Sequence, residues 1–270
     1  LIPRALKPRA ALIINPTFGE YERSLSSMGC DIECIHLKER SHFRIKTDEV
    51  IPLLSRVDIL YLCNPGNPTG VLTGRDEIYP LLQAAEKRGV VVVLDEAFME
   101  FSDDHSSVHQ VKRRKGIIIL RSMTKFFCIP GLRLGYLIAP SKMAAAINLH
   151  KEPWSVNTLA QKVGIRCLED EPFKVKTKRF IVRERHYLFS QLSSVEGLQP
   201  YTSATNFILV RITKKGLTSG RFYEELAKKG ILIRDCRSFR GLGSTFIRVA
   251  VKKRKENNIL IREMKNIVEQ

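Results

Sequence analysis

The 270-residue sequence has no long apolar run, no Cys-x-x-Cys pair and no patch in which basic and aromatic residues interleave. A membrane-spanning helix needs ~18–20 consecutive apolar residues, so no membrane association is expected. The six cysteines (Cys30, Cys34, Cys63, Cys128, Cys167, Cys236) are too few and too scattered for a disulfide framework. Four of them sit in apolar surroundings, where a free thiol behaves as a small core side chain, and a reducing compartment, the cytoplasm, is expected. Cys30 and Cys34 are four apart but have no second pair or histidine couple, so no metal is expected. The third absence bears on charge. Lys and Arg number 45 against 28 Asp and Glu, a formal +17 that would suit nucleic acid. The basic residues are dispersed, however, and no zinc-finger spacing accompanies them, which fits a basic enzyme and no nucleic-acid partner. The chain opens Leu1-Ile2-Pro3-Arg4 without an initiator Met, and strand-like sequence begins within a dozen residues. A fragment whose native N-terminus lies upstream is expected.

What is present is a cadence of short apolar runs and helical stretches. Residues 10–14 read as a strand ended by Asn15-Pro16-Thr17, and residues 18–28 as a helix closed by Gly29. A strand at 31–37, a short helix at 48–56 and a strand at 58–63 follow. The last is apolar enough to be buried on both faces. After a turn dense in Pro, Gly and Asn (residues 64–70), a helix at 75–88 stops at Gly89. Strands at 90–94 and 117–120 complete the series. This alternation predicts an α/β fold, a mostly parallel, doubly wound sheet with helices on both faces. Helices at 156–168 and 173–192, a strand at 206–210, a helix at 221–229, strands at 231–233 and 246–250 and a helix at 255–268 predict a smaller α+β unit. The expected division is a large domain over 1–165 and a small one over 166–270. Trp154 is expected to anchor the junction, and Lys252-Lys253-Arg254-Lys255 to be a solvated helix start.

Ligands of such sheets sit beyond the C-terminal strand ends. Three of those ends carry distinctive groups: Asn67, Asp95 and Lys125. Singly, Asn67 could serve its turn, Asp95 could cap a helix and Lys125 could be a solvated lysine. Together they match one cofactor chemistry, pyridoxal phosphate held on a lysine amine with an acid facing the ring nitrogen. A desolvated amine near other cations is neutral close to pH 7 and attacks an aldehyde. Arg133, eight residues past Lys125 and after a Pro130-Gly131 turn, could return a guanidinium to the cofactor's phosphate.

Asn64-Pro65-Gly66-Asn67-Pro68-Thr69-Gly70, Asp95-Glu96-Ala97-Phe98 and Ser122-Met123-Thr124-Lys125 with Gly131-Leu132-Arg133-Leu134-Gly135-Tyr136 resemble the signature of fold-type-I, class I/II pyridoxal-phosphate enzymes. The resemblance spans nearly the whole chain and is greatest to the branch holding histidinol-phosphate aminotransferases and L-threonine-O-3-phosphate decarboxylases. Pro16-Thr17-Phe18-Gly19-Glu20-Tyr21, Pro153-Trp154-Ser155-Val156-Asn157 and Ile231-Leu232-Ile233-Arg234-Asp235-Cys236 look more like the decarboxylases. The resemblance implies that Lys125 carries the cofactor and Asp95 faces its ring nitrogen. It further implies that Asn67 bonds the ring 3-oxygen, Phe18 stacks on the ring, and Ser122 and Arg133 hold the cofactor phosphate. Arg248 would grip a substrate carboxylate, with Arg234 and Asn157 for the substrate's own phosphate and backbone groups. The implied substrate is a small phosphorylated amino acid, the implied assembly a homodimer.

Two departures stand out. Phe98 occupies the place of a tyrosine usual in the aminotransferases, which leaves either a more basic imine or plain wall packing. The family also has a segment ahead of Leu1, with a substrate-contacting arm and a loop whose amides cradle the cofactor phosphate. As given, the chain is expected to hold cofactor weakly. Decarboxylation of L-threonine O-3-phosphate is the expected activity, histidinol-phosphate transamination the alternative, and an inactive truncated fragment the second alternative.

Overall fold

Five of the expected strands and one more condense into one sheet in the computed structural model, which describes residues 1–269. A short helix, α1 (Ile2–Leu6), leads into β1 (Ala10–Asn15), and α2 (Glu20–Ser26) connects β1 to β2 (Asp31–His36). The next helix is split. One turn, α3 (Thr47–Val50), continues as a 3-10 stretch (Ile51–Arg56) because Pro52 has no amide to donate to a regular helix. Then come β3 (Ile59–Cys63), α4 (Arg75–Lys87), β4 (Val91–Asp95), two 3-10 segments and β5 (Ile117–Ser122). A single turn, α5 (Met123–Phe126), precedes β6 (Gly135–Ile138) and α6 (Ser141–Asn148). The strand order is β2-β1-β3-β4-β5-β6, parallel except for β6, which returns antiparallel to β5.

Strand alternation assigns the two faces. Leu12, Leu60, Leu62, Leu94, Ile117 and Ile119 pack against Ile78, Leu81 and Leu82 of α4. Ala11, Ile13, Tyr61, Val93 and Ile118 pack the opposite way, against Tyr21 and Leu25 of α2 and Ile147 of α6. Each such aliphatic side chain contributes about 1.5–3 kcal/mol on burial, which fixes the register and hence the level of the strand ends.

Two helices, α7 (Thr158–Glu169) and α8 (Glu171–Ser193), lead to a second sheet of β7 (Leu198–Pro200), β8 (Phe207–Ile212), β9 (Arg234–Asp235) and β10 (Phe246–Ala250). Its order is β7-β8-β10-β9, antiparallel throughout. The helices α9 (Ser219–Lys228) and α10 (Arg254–Glu269) complete it. Ile208, Val210, Ile247 and Val249 pack with Leu188 and Leu192 of α8, Phe222 of α9 and Met264 of α10. The same cluster takes in Phe98, Phe101 and Phe126 from the large sheet's strand-end loops. No helix among the described residues is long and apolar enough to cross a membrane.

Two expectations are corrected. Residues 231–233 are not a strand: Leu232 is 75% exposed, and pairing with β10 begins only at Arg234. Trp154 anchors nothing, being 96% exposed in a turn with φ +54°. Helices α1 and α6 and strands β6 and β7 were not anticipated. Strand β6 lies half-exposed within the Gly-rich run after Arg133, without a continuous apolar signal.

Candidate active site

Parallel pairing brings the strand ends to one level. Cys63 is the register partner of Asp95, and Asp95 of Leu120, so the residues after β3, β4 and β5 emerge along one edge. Asn64 braces the first of these loops: its buried amide accepts from the Thr73 N–H (2.8 Å) and donates to the Thr73 carbonyl (3.0 Å). The braced loop presents Asn67, whose Oδ1 accepts a hydrogen bond from Arg248.

Lys125 owes its exposure to helical periodicity. Within α5 the side chains of Met123, Thr124 and Phe126 are buried, and Lys125 is the one turned outward. Phe126 is held by Phe101 (ring centroids 5.1 Å apart), Phe127 (5.2 Å) and Phe173 (6.2 Å), which gives the lysine a rigid base. Lys125 Nζ donates to Thr124 Oγ1 at 3.1 Å, and Thr124 shares a 2.8 Å hydrogen bond with Ser122. Partial burial lowers the ammonium's pKa from the ordinary lysine value. Arg133 and Arg248 add to the fall and Asp95 opposes it. The amine is thereby a better nucleophile than a solvated lysine.

Asp95 closes β4 with both carboxylate oxygens engaged: Oδ1 accepts the Ala97 N–H at 2.9 Å, and Oδ2 accepts the Tyr21 hydroxyl. Burial pushes its pKa up, against the Tyr21 and Ala97 hydrogen bonds and the charge of Lys125. Arg133 follows the 3-10 turn Pro130–Leu132 in the left-handed region (φ +54°), and its guanidinium donates to the Pro130 carbonyl at 2.9 Å. Non-glycine residues held there concentrate at functional sites. Phe18, 45% exposed, meets Tyr21 edge-on at 5.8 Å.

From the small sheet come the other cations. Arg248 and Arg234 are cross-strand neighbours on β10 and β9. Arg248 lies 4.7 Å from the centroid of Phe207, itself packed edge-on against Phe98 at 5.0 Å. Phe98 is therefore part of the wall behind Arg248. Arg234 is exposed, donates to Ser238 Oγ at 2.9 Å and lies 5.4 Å from the Phe239 ring. Asn157 lies beside the Arg133 turn, but its amide is occupied: Oδ1 caps α7 at the Ala160 N–H (2.8 Å), and Nδ2 donates to the Leu132 carbonyl (3.3 Å).

Sequence reasoning missed two groups. Tyr21 is buried three residues after Phe18 on the face of α2 that meets the sheet; that spacing and its place at the end of the Pro16–Tyr21 run were its signals. Arg121 follows the fully apolar stretch of β5, and its side chain is only 8% exposed. It reaches Glu96 (2.9 Å), Glu100 (3.0 Å), Asp103 (3.3 Å) and Ser106 (2.7 Å), locking the loop after β4 to the end of β5. Burial raises the pKa of Glu96 and Glu100, against the pull of Arg121. A cation ending a buried strand, four residues before Lys125, was the available hint.

The chain is 35% identical to threonine-phosphate decarboxylase of Salmonella typhimurium over 99% of this chain and 73% of that protein. The structure of histidinol-phosphate aminotransferase from Clostridium acetobutylicum superposes with a TM-score of 0.92 at 31% identity, covering 97% of this chain and 78% of that one. L-threonine-O-3-phosphate decarboxylase from Porphyromonas gingivalis superposes with a TM-score of 0.86 at 26% identity, over 100% of this chain and 80% of that one. A family model, aminotransferase class I and II, matches residues 1–264, and the chain belongs to that family.

Proposed function

We propose that the protein is a pyridoxal-phosphate-dependent decarboxylase that converts L-threonine O-3-phosphate to (R)-1-amino-2-propanol O-2-phosphate, a step of cobalamin biosynthesis. One observation carries the reading: Asn67, Asp95 and Lys125 emerge along one edge of the large sheet, and Arg248 of the small sheet reaches that edge through its hydrogen bond to Asn67. Similarity to threonine-phosphate decarboxylases over nearly the whole chain supports the choice of reaction.

The donor set fits the cofactor. Lys125 offers an amine of lowered pKa for an aldehyde, Asp95 a carboxylate for a ring nitrogen, and Asn67 an amide for the ring 3-oxygen. Phe18 offers an exposed aromatic face, and Ser122 with Arg133 a hydroxyl and a cation for a phosphate. When bound, pyridoxal phosphate supplies the aldehyde and a ring that takes up the electron pair released at the substrate's α-carbon. Arg248 holds the substrate carboxylate against the Phe207 wall. Arg234, one strand away, takes the substrate phosphate; Asn157, with its amide engaged, shapes the turn beside it. Holding both anions fixes the substrate's orientation, and orientation selects the bond that breaks. Lys125, which takes a proton from the substrate's ammonium group as the substrate displaces it, then delivers that proton to the α-carbon.

The assembly proposed is a cytoplasmic homodimer. The exposed apolar side chains of Leu149, Trp154, Ile165 and Leu168 are the observation in its favour. The likeness to a histidinol-phosphate aminotransferase structure favours a second reading, transamination. The protein, given pyridoxal phosphate and phosphothreonine without 2-oxoglutarate, is expected to release carbon dioxide. Amino transfer that depends on 2-oxoglutarate would install the second reading instead.

A further inference from the structure

The carboxylate at the end of β4 is held from the side of α2, by a residue to which the resemblance assigns no role. Tyr21 is buried at the sheet-facing side of α2, its ring 5.3 Å from that of Tyr61 and edge-on to Phe18 at 5.8 Å. Its hydroxyl donates to Oδ2 of Asp95, while the Ala97 amide takes Oδ1 at 2.9 Å. Two donors on two different oxygens fix the rotation of the carboxylate about its Cα–Cβ and Cβ–Cγ bonds. With the amide alone, that group could swing.

We infer that Tyr21 is a positioning residue: by donating to Asp95 Oδ2 it sets the direction in which Asp95 meets the cofactor ring. The inference rests on the proposed role of Asp95. Ordinary hydroxyl satisfaction does not explain the arrangement as well, since the phenol is placed against the one carboxylate that ends at the site. Ionisable groups facing Asp95 are Tyr21 from α2, Cys63 from β3 and Lys125 from α5. Burial and the Asp95 charge push the Tyr21 hydroxyl well above its usual range, so it keeps its proton and acts only as a donor. On Asp95 the Tyr21 hydrogen bond leads the influences opposing burial. Phe18 ties the two roles together. Its ring meets Tyr21 edge-on and is itself 45% exposed, and it is the aromatic proposed for the cofactor ring.

The test is Tyr21→Phe, which keeps the packing on Tyr61 and Phe18 and removes only the hydroxyl, set beside Asp95→Asn. Affinity of the cofactor-free protein for pyridoxal phosphate, read by absorbance titration, is expected to fall about tenfold with loss of one charge-assisted hydrogen bond. In the loaded enzyme the acid limb of the kcat–pH profile is expected to move to higher pH, because a carboxylate that loses a donor binds its proton more tightly. The substrate KM is expected to change little, and Tyr61→Phe to leave all three readouts in place. Should Tyr21→Phe fold poorly, 3-fluorotyrosine at position 21 keeps the ring while acidifying the donor, and is expected to move the acid limb to lower pH. Unchanged affinity and acid limb in Tyr21→Phe, with Asp95→Asn crippled, would overturn the positioning role and leave Asp95 in place. If Asp95→Asn were silent as well, the reading of Asp95 would fall with it. An acid limb indifferent to fluorination would also overturn the inference.

Discussion

Arg248, on an interior strand of the small sheet, donates a hydrogen bond to Oδ1 of Asn67, in the loop that follows β3 of the large sheet. A residue proposed for substrate and one proposed for cofactor are thus joined before either ligand arrives. The same guanidinium lies over Phe207, so its plane is set by an aromatic face and its edge by an amide. The proposed substrate anchor and the proposed cofactor contact are therefore one mechanical unit.

Arg248→Lys tests that connection. A lysine keeps the charge but loses the planar fork and the stacking. With hydrogen bonds to charged groups worth about 1.5–3 kcal/mol, kcat/KM for phosphothreonine is expected to drop roughly 10- to 100-fold. Steady-state kinetics checks this, and an unchanged value would remove Arg248 from the substrate site.

Arg121 is expected to matter for stability more than for chemistry. Arg121→Met leaves the fully buried Glu96 carboxylate and the nearly buried Glu100 without their cation, at a cost of about 3–5 kcal/mol. Denaturant unfolding of the cofactor-free protein measures it. A loss under ~1 kcal/mol would class the cluster with ordinary surface pairs.

Lys125 gives a pH-dependent stability of known sign. Its folded pKa lies below the unfolded one, through partial burial and the neighbouring Arg133 and Arg248. Below the folded value both states are protonated, and the folded chain bears the full cost of a crowded cation. As pH rises from there to the ordinary lysine value, the folded amine loses its proton first and the cost fades. Lys125→Met is therefore expected to stabilise the cofactor-free protein at neutral pH, by an amount that shrinks through that window. Unfolding midpoints of both proteins across a pH series decide it; a gain that grew with pH would contradict the assignment.

Trp154 is the simplest surface test. Being almost fully exposed, it is expected to contribute less than ~0.5 kcal/mol to chain stability, so Trp154→Ser should leave the melting temperature in place. Sedimentation of the same variant is expected to show weaker self-association. A fall in melting temperature without a change in association would place Trp154 in the chain's own packing.

Legibility followed a physical line. Asn67, Asp95 and Lys125 could be read from sequence because apolar runs in parallel strands end at a common level, and whatever follows shares an edge. Tyr21 and Arg121 could not, because their importance lies in pairs with Asp95 and Glu96 formed across the fold, and pairing leaves no periodic trace. The run at 231–233 misled for a related reason: Ile231 and Ile233 pack onto the core from irregular chain, so apolar content there signalled burial without a strand. Trp154 misled in the opposite sense, since a large aromatic argues for burial only where chain or ligand covers it.

The most direct measurement is chemical. The pyridoxal-phosphate-loaded protein is treated with borohydride, digested and examined by mass spectrometry. The pyridoxyl label is expected on the peptide bearing Lys125, and Lys125→Ala is expected to lose both label and carbon dioxide release. A label on another of the chain's lysines, or decarboxylation at an unaltered rate in Lys125→Ala, would contradict the assignment of the site.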